Sequence, residues 1–323
     1  MRARSILSGV LLAVLMGGGA APRAEVPDPA LAEAFVKAAD ELIYDKSYDS
    51  AVGKHYKVKT DDPRCVARKA VDLLESLREQ FDRDWTGKIE MRPYDQVSHI
   101  YLFYSRFKYK QLFGEDESQR KASSNLIGHY TPYLDVVAMH TDTVGLAELP
   151  DVLVHEATHQ LVMQRLYGLD VEPMPWIAEG MANYYGYMLR EESGAYVPSK
   201  TGSKNVILTK GKPATGSGLG RDQARAYLKL LKSGEAESLD GLIRIQDLGR
   251  FYAERTMERY AAAWLLVRFL MTADEGSHAA GFAKYLAREI REDTTADDFY
   301  KEIKMSADEL QTAFTVWAKK NAA

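Results

Sequence analysis

Two histidines stand four residues apart around a glutamate in V-H-E-A-T-H-Q, residues 154–160, and a second glutamate follows inside W-I-A-E-G, residues 176–180. On an α-helix, positions i and i+4 lie about 40° apart around the axis and one turn apart along it. His155 and His159 therefore point the same way, while Glu156 is turned to the flank. Pro150 suits the first turn of that helix, where a missing N–H costs nothing. Leu153, Ala157, Leu161 and Leu166 give it an apolar side for a core. Glu179 sits on a second expected helix that starts at Pro175, after the turn residues Gly168 and Pro173. Helices joined by a short loop pack antiparallel, so Glu179 can swing over the histidine face.

Two imidazoles and a carboxylate converging on one point are a ligand set for a zinc ion, which in catalytic sites takes three protein ligands and keeps a fourth position open. The candidate metal ligands are His155, His159 and Glu179, for one Zn2+ per chain. A carboxylate beside such an ion, as Glu156 would be, can take a proton from water as a general base. Asn183, at i+4 from Glu179, projects from the same side and can accept a hydrogen from the far nitrogen of one histidine. The plainer readings are a hydrogen-bonded core histidine for His159, a solvated helix glutamate for Glu179 and a packing role for Asn183.

V-H-E-A-T-H-Q followed by W-I-A-E-G-M-A-N-Y-Y resembles the gluzincin branch of zinc metallopeptidases, in which an HExxH helix is followed by a glutamate inside a W-x-x-E-G-x-A segment. More narrowly it is similar to exported bacterial proteins of the peptidase MA-like kind, and the resemblance covers about residues 125–190. It implies His155, His159 and Glu179 as zinc ligands and Glu156 as general base, in a peptidase acting on a peptide or protein substrate. Where the family pattern has an aspartate four residues after the ligand glutamate, this chain has Asn183, which lacks the charge that raises histidine basicity. The resemblance also implies an oxyanion donor from a later helix, and F-Y-A-E-R-T-M-E-R-Y offers Tyr260, with Tyr252 as the second choice. It further implies that G-H-Y-T-P-Y-L-D-V-V forms the edge of the cleft, where a peptide backbone can add near residues 128–134. His129 there is expected at the rim or facing solvent.

The rest of the chain sets the frame. At 323 residues, with 46% hydrophobic and 27% charged residues, it can bury a large core. A net charge of −4 gives no basic excess to meet nucleic acid. Arg2 and Arg4, the short apolar run Ile6–Met16 and the small residues before Pro22 form an export-signal pattern, the alternative being an uncleaved anchor. The protein is thus expected to be periplasmic or secreted, with no membrane span in the mature chain. Cys65 is the only cysteine, so no internal disulfide forms; it reads as a small buried residue.

Helical spacing marks 29–45 and 64–82; G-K-I-E-M-R-P-Y from Gly87 reads as a strand, and residues 96–114 as a helix ending near Gly114. The charged run at 114–121 reads as a turn. Two strands follow around Thr131-Pro132, the proline arguing for a sheet edge. Helices are expected near 150–167, 175–191, 222–233, 256–273, 279–291 and 306–320, the last opened by a Ser306/Glu309 capping box. Residues 199–221 read as a loop with one strand at 205–209.

The expected organisation is a signal peptide at 1–20, a helical segment at 21–86, a zinc-binding sheet-plus-helix unit at 87–191 and a helical unit at 192–323. The fold class is α+β, mostly helical, with a small mixed sheet from about 88–140 packed on the zinc helix and a helical half closing the other cleft wall. Two readings compete with the peptidase: a weakly active or inactive zinc-binding homologue that recognises peptides or envelope material, and a helical interaction domain in which the histidine spacing is accidental.

Overall fold

The computed structural model describes residues 29–112, 127–145, 148–190, 196–197 and 219–321. The export pattern, the charged run at 114–121 and the 205–209 strand lie outside them. The protein is α+β, mostly helical, with one small mixed sheet. In chain order the first half contains α1 (Pro29–Ile43), β1 (Asp49–Val52), β2 (Tyr56–Thr60), α2 (Ala67–Trp85), β3 (Ser98–Phe103), α3 (Arg106–Gln111), β4 (Gly128–Thr131) and β5 (Val136–His140). The sheet runs β1-β2-β3-β5-β4. The central pairs β2–β3 and β3–β5 are parallel, and the two edge strands β1 and β4 are antiparallel to their neighbours.

Both faces of this sheet are covered. Ile100, Leu102, Val137 and Met139 meet α2 and the helices beyond it, while Tyr101, Phe103, Val136 and Ala138 meet Phe35, Ala39 and Ile43 of α1 and Tyr109 of α3. That double cover explains one departure from expectation. Residues 98–103 are a strand and only 106–111 are helical, because a strand buried on both sides reads as a continuous apolar run with no alternation. Two further expectations change. The segment 21–86 is not purely helical, since the β1–β2 hairpin lies within it and opens the sheet at Asp49. The stretch 87–94 forms no strand; only Thr86 and Ile89 make a single bridge.

The second half is helical, as expected: α4 (Leu149–Leu161), a π-helical turn (Val162–Tyr167), α5 (Pro175–Gly186), a short ribbon of β6 (Leu189–Arg190) and β7 (Tyr196–Val197), α6 (Leu219–Ser233), α7 (Leu239–Ile243), α8 (Leu248–Ala253), α9 (Thr256–Thr272), α10 (Ala279–Glu289), α11 (Ala296–Ile303) and α12 (Ala307–Asn321). Ser306 and Glu309 make the expected capping box: Glu309 N–H donates to Ser306 Oγ at 3.2 Å and Ser306 N–H to Glu309 Oε2 at 2.8 Å. Helix α4 lies against β4, β5 and α2 on one side and α5 on the other, and α5 in turn packs along α9. A Cβ at Gly180 would sit 2.7 Å from the Ala263 carbonyl oxygen, so the absence of a side chain there is what lets α5 and α9 touch by backbone. Among the described residues no helix is long and apolar enough to cross a membrane.

One buried carboxylate ties the sheet to α4. Asp135, in the β4–β5 turn at φ +49°, accepts hydrogen bonds from Ser98 Oγ at 2.7 Å, Gln160 Nε2 at 2.8 Å, and Tyr94 and Gln164. Four neutral donors thus hold an acid for which no salt-bridge cation is present among the described residues, and they fix the turn after the edge strand to the end of α4.

Candidate metal and catalytic site

Helices α4 and α5 bring His155, His159 and Glu179 together. The Nε2 atoms of the two histidines are 3.2 Å apart, and Glu179 Oε2 lies 3.4 Å from His155 Nε2 and 3.7 Å from His159 Nε2. Glu179 is buried at 4% exposure, while the imidazoles keep 18% and 21% of their surface and open towards solvent. Oε2 of Glu179 has no hydrogen-bond partner, and a buried carboxylate oxygen left so costs free energy.

Tetrahedral ligation with bonds of about 2.0–2.2 Å places neighbouring donor atoms roughly 3.3–3.6 Å apart, and the observed triangle matches that spacing. The donor set, two imidazole nitrogens and one carboxylate oxygen, is also of the kind that zinc takes. The residues therefore fit the ion.

Their electrostatics agree. Burial alone would raise the Glu179 carboxyl, but the two imidazoles and the Tyr252 hydroxyl outweigh it and hold it down at about 2. Burial lowers His159 to about 4, leaving a neutral imidazole with a lone pair to give. Burial pulls His155 down, but Glu179, Glu156 and Asn183 together outweigh it, so its net shift is upward. Oδ1 of Asn183 stands 3.1 Å from His155 Nδ1, at the position of a tautomer-fixing acceptor.

Glu156 flanks this triangle. Burial raises its carboxyl to about 7, against the lowering effect of His155 and with some help from Glu179. The edge strand runs directly beside it: a Cβ on Gly128 would lie 3.0 Å from Glu156 Cγ and 2.9 Å from Met139 Cβ. That contact has no local signal in the sequence, because it depends on how α4 lies across β4.

Burial and the Glu179 charge together raise the pKa of both Tyr252 and Tyr260, but the two lie differently about the site. Tyr252 donates its hydroxyl to Glu179 Oε1, whereas Tyr260 on α9 places its ring 6.3 Å from the His155 ring. Tyr252 and Tyr260 neighbour each other at 6.2 Å between centroids. His129 does not face solvent. It is buried at 8% exposure against Tyr109, whose hydroxyl is 2.9 Å from His129 Nδ1, and burial lowers its pKa to about 4. The second face of β4 is covered by α3, which the expectation for this strand did not include. Cys65 is buried, and burial pushes its thiol well above its usual range.

No protein family matches this chain, and no curated protein is found to match it.

Proposed function

We propose that this chain is an exported zinc-dependent peptidase of the gluzincin kind, with His155, His159 and Glu179 as ligands and Glu156 as the general base. The observation that carries the reading is the donor triangle, whose edges of 3.2, 3.4 and 3.7 Å suit one small tetrahedral cation. When bound, zinc would supply Lewis acidity, polarising a carbonyl and bringing the pKa of water to about 7.

The rest of the chemistry belongs to the chain's own side chains. Glu156, poised near neutrality and turned to the flank of the triangle, takes a proton from the attacking water and hands it to the leaving amine. Tyr260, half-buried beside His155, donates its hydroxyl to the charge that grows on the carbonyl oxygen. Strand β4, which pairs on one side only among the described residues, receives an extended peptide along its outer edge near residues 128–134. Main-chain pairing of this sort accepts many sequences.

A second reading, a zinc-binding peptide-recognition module with weak or no turnover, draws on Asn183. An amide behind His155 orients the ring without adding the negative charge that strengthens it as a ligand. Two measurements separate the readings. Purified protein is expected to carry about one zinc, lost in His155→Ala. Glu156→Gln is expected to keep the zinc and to lose cleavage of a denatured protein or peptide library by about 10²-fold or more. Protein without zinc would end both readings; zinc without cleavage across many substrates would leave the recognition module.

A further inference from the structure

The two oxygens of Glu179 have different surroundings. Oε1 accepts the Tyr252 hydroxyl, while Oε2 faces the imidazole pair and has no hydrogen bond. Tyr252 is itself well held. Its neighbour Phe251 is fully buried and packs edge-on against it at 5.4 Å, and the carbonyl of Phe251 accepts from Arg259 Nη1 at 3.2 Å. Arg259 is in turn fixed by Glu237, whose Oε2 lies 2.7 Å from its Nε. The short helix α8 thus presents one phenol to one carboxylate oxygen from a braced position.

We propose that Tyr252 is a positioning residue for the metal centre: by occupying Oε1 it leaves Glu179 only Oε2 to offer an ion. The proposal rests on the zinc reading above. A carboxylate that grips a metal with both oxygens fills the coordination position that a catalytic zinc must keep open. A hydroxyl bonded to one oxygen prevents that and holds the carboxylate plane fixed, as groups behind metal ligands commonly do. The two tyrosines then divide the work. Tyr252 serves the ligand, and Tyr260, whose ring faces His155, serves the substrate.

The test needs no substrate. Zinc affinity is measured by competition with a chelating dye, and coordination number by the visible bands of the cobalt-substituted protein. Tyr252→Phe keeps the ring and its packing, and Tyr252 is 40% exposed, so the fold is expected to survive, as circular dichroism will report. This variant is expected to bind zinc about tenfold more weakly and to show weaker cobalt bands, as coordination rises from four towards five. Tyr260→Phe is expected to match the unaltered protein in both readouts and to lose turnover.

Zinc affinity for Tyr252→Phe within about twofold of the unaltered protein, with unchanged cobalt bands, would overturn the proposal; so would an equal loss of affinity in Tyr260→Phe. If the unaltered protein takes up no zinc, this proposal falls with the metal reading. If it takes up zinc but cleaves nothing, only the catalytic reading falls, and the Tyr252→Phe titration still decides this one.

Discussion

Asn183 and Glu179, one turn apart on α5, meet the imidazole of His155 at its two nitrogens: Asn183 Oδ1 is 3.1 Å from Nδ1 and Glu179 Oε2 is 3.4 Å from Nε2. An amide oxygen can only accept, so this contact puts the proton on Nδ1 and leaves the Nε2 lone pair directed into the donor triangle. Removing the acceptor frees the ring. Asn183→Leu is expected to weaken zinc binding by about 10- to 100-fold, and Asn183→Asp, which restores a charge behind the ring, to strengthen it. Competition with a chelator measures both, and an unchanged affinity in Asn183→Leu would remove the orienting role.

The pH dependence of turnover follows from Glu156. Its carboxyl stands at about 7 in the ion-free protein, and a neighbouring cation favours the ionised form and moves it lower. A general base works only when ionised. Thus kcat/KM is expected to rise with pH through a pKa at or below about 7, and that acid limb disappears with the turnover in Glu156→Gln. Activity that falls as pH climbs from about 5 to 7 would exclude Glu156 as the base.

Gly128 predicts a local steric effect. An added methyl would lie 2.9 Å from Met139 Cβ and 3.0 Å from Glu156 Cγ, so Gly128→Ala must displace either the edge strand or the base. We expect a loss of about 1–3 kcal/mol in stability by thermal denaturation, together with reduced turnover and unaltered zinc content. A variant as active and as stable as the parent would mean that β4 and Glu156 are not in contact.

A fourth prediction concerns stability away from the site. Glu289 on α10 accepts the Met174 N–H at 2.8 Å just before α5, and burial raises its carboxyl to about 7. Between about pH 4.5 and 7 the unfolded chain has released this proton and the folded one has not, so stability falls as pH rises across that window, by about 3 kcal/mol in total, and is level above it. Denaturant melts of Glu289→Gln across the same range are expected to be flatter than those of the unaltered protein. Parallel curves would show that Glu289 is already ionised when buried.

How much of this was legible depended on where the determining contacts lie. The α4–α5 pair could be read directly, because helical spacing, two prolines at helix starts and a short connection all act within 30 or so residues. Strand β3 carries no strand signature because α1 and α3 cover its second face and erase the alternation of Ser98–Phe103. The same cover buries His129. Strands β1 and β2 went unseen because short sequences such as D-S-A-V and Y-K-V-K-T gain their strand character only from pairing. The Tyr252–Glu179 contact has no local signal, because nothing near Tyr252 reveals that a six-residue helix carries it back to Glu179.

The backbone contact at Gly180 bears on which ion the proposed centre would accept. Because α5 and α9 meet main chain to main chain there, the backbone that carries Glu179 has no room to shift towards α9. The trio would then be a gauge of nearly fixed bore, and capturing an ion would spend little ordering entropy. Calcium, which prefers six to eight oxygens at 2.3–2.6 Å, would have to force the jaws open and would find too few of them. Discrimination against the commoner cation would then come from stiffness, set by a glycine one residue away from the proposed ligand.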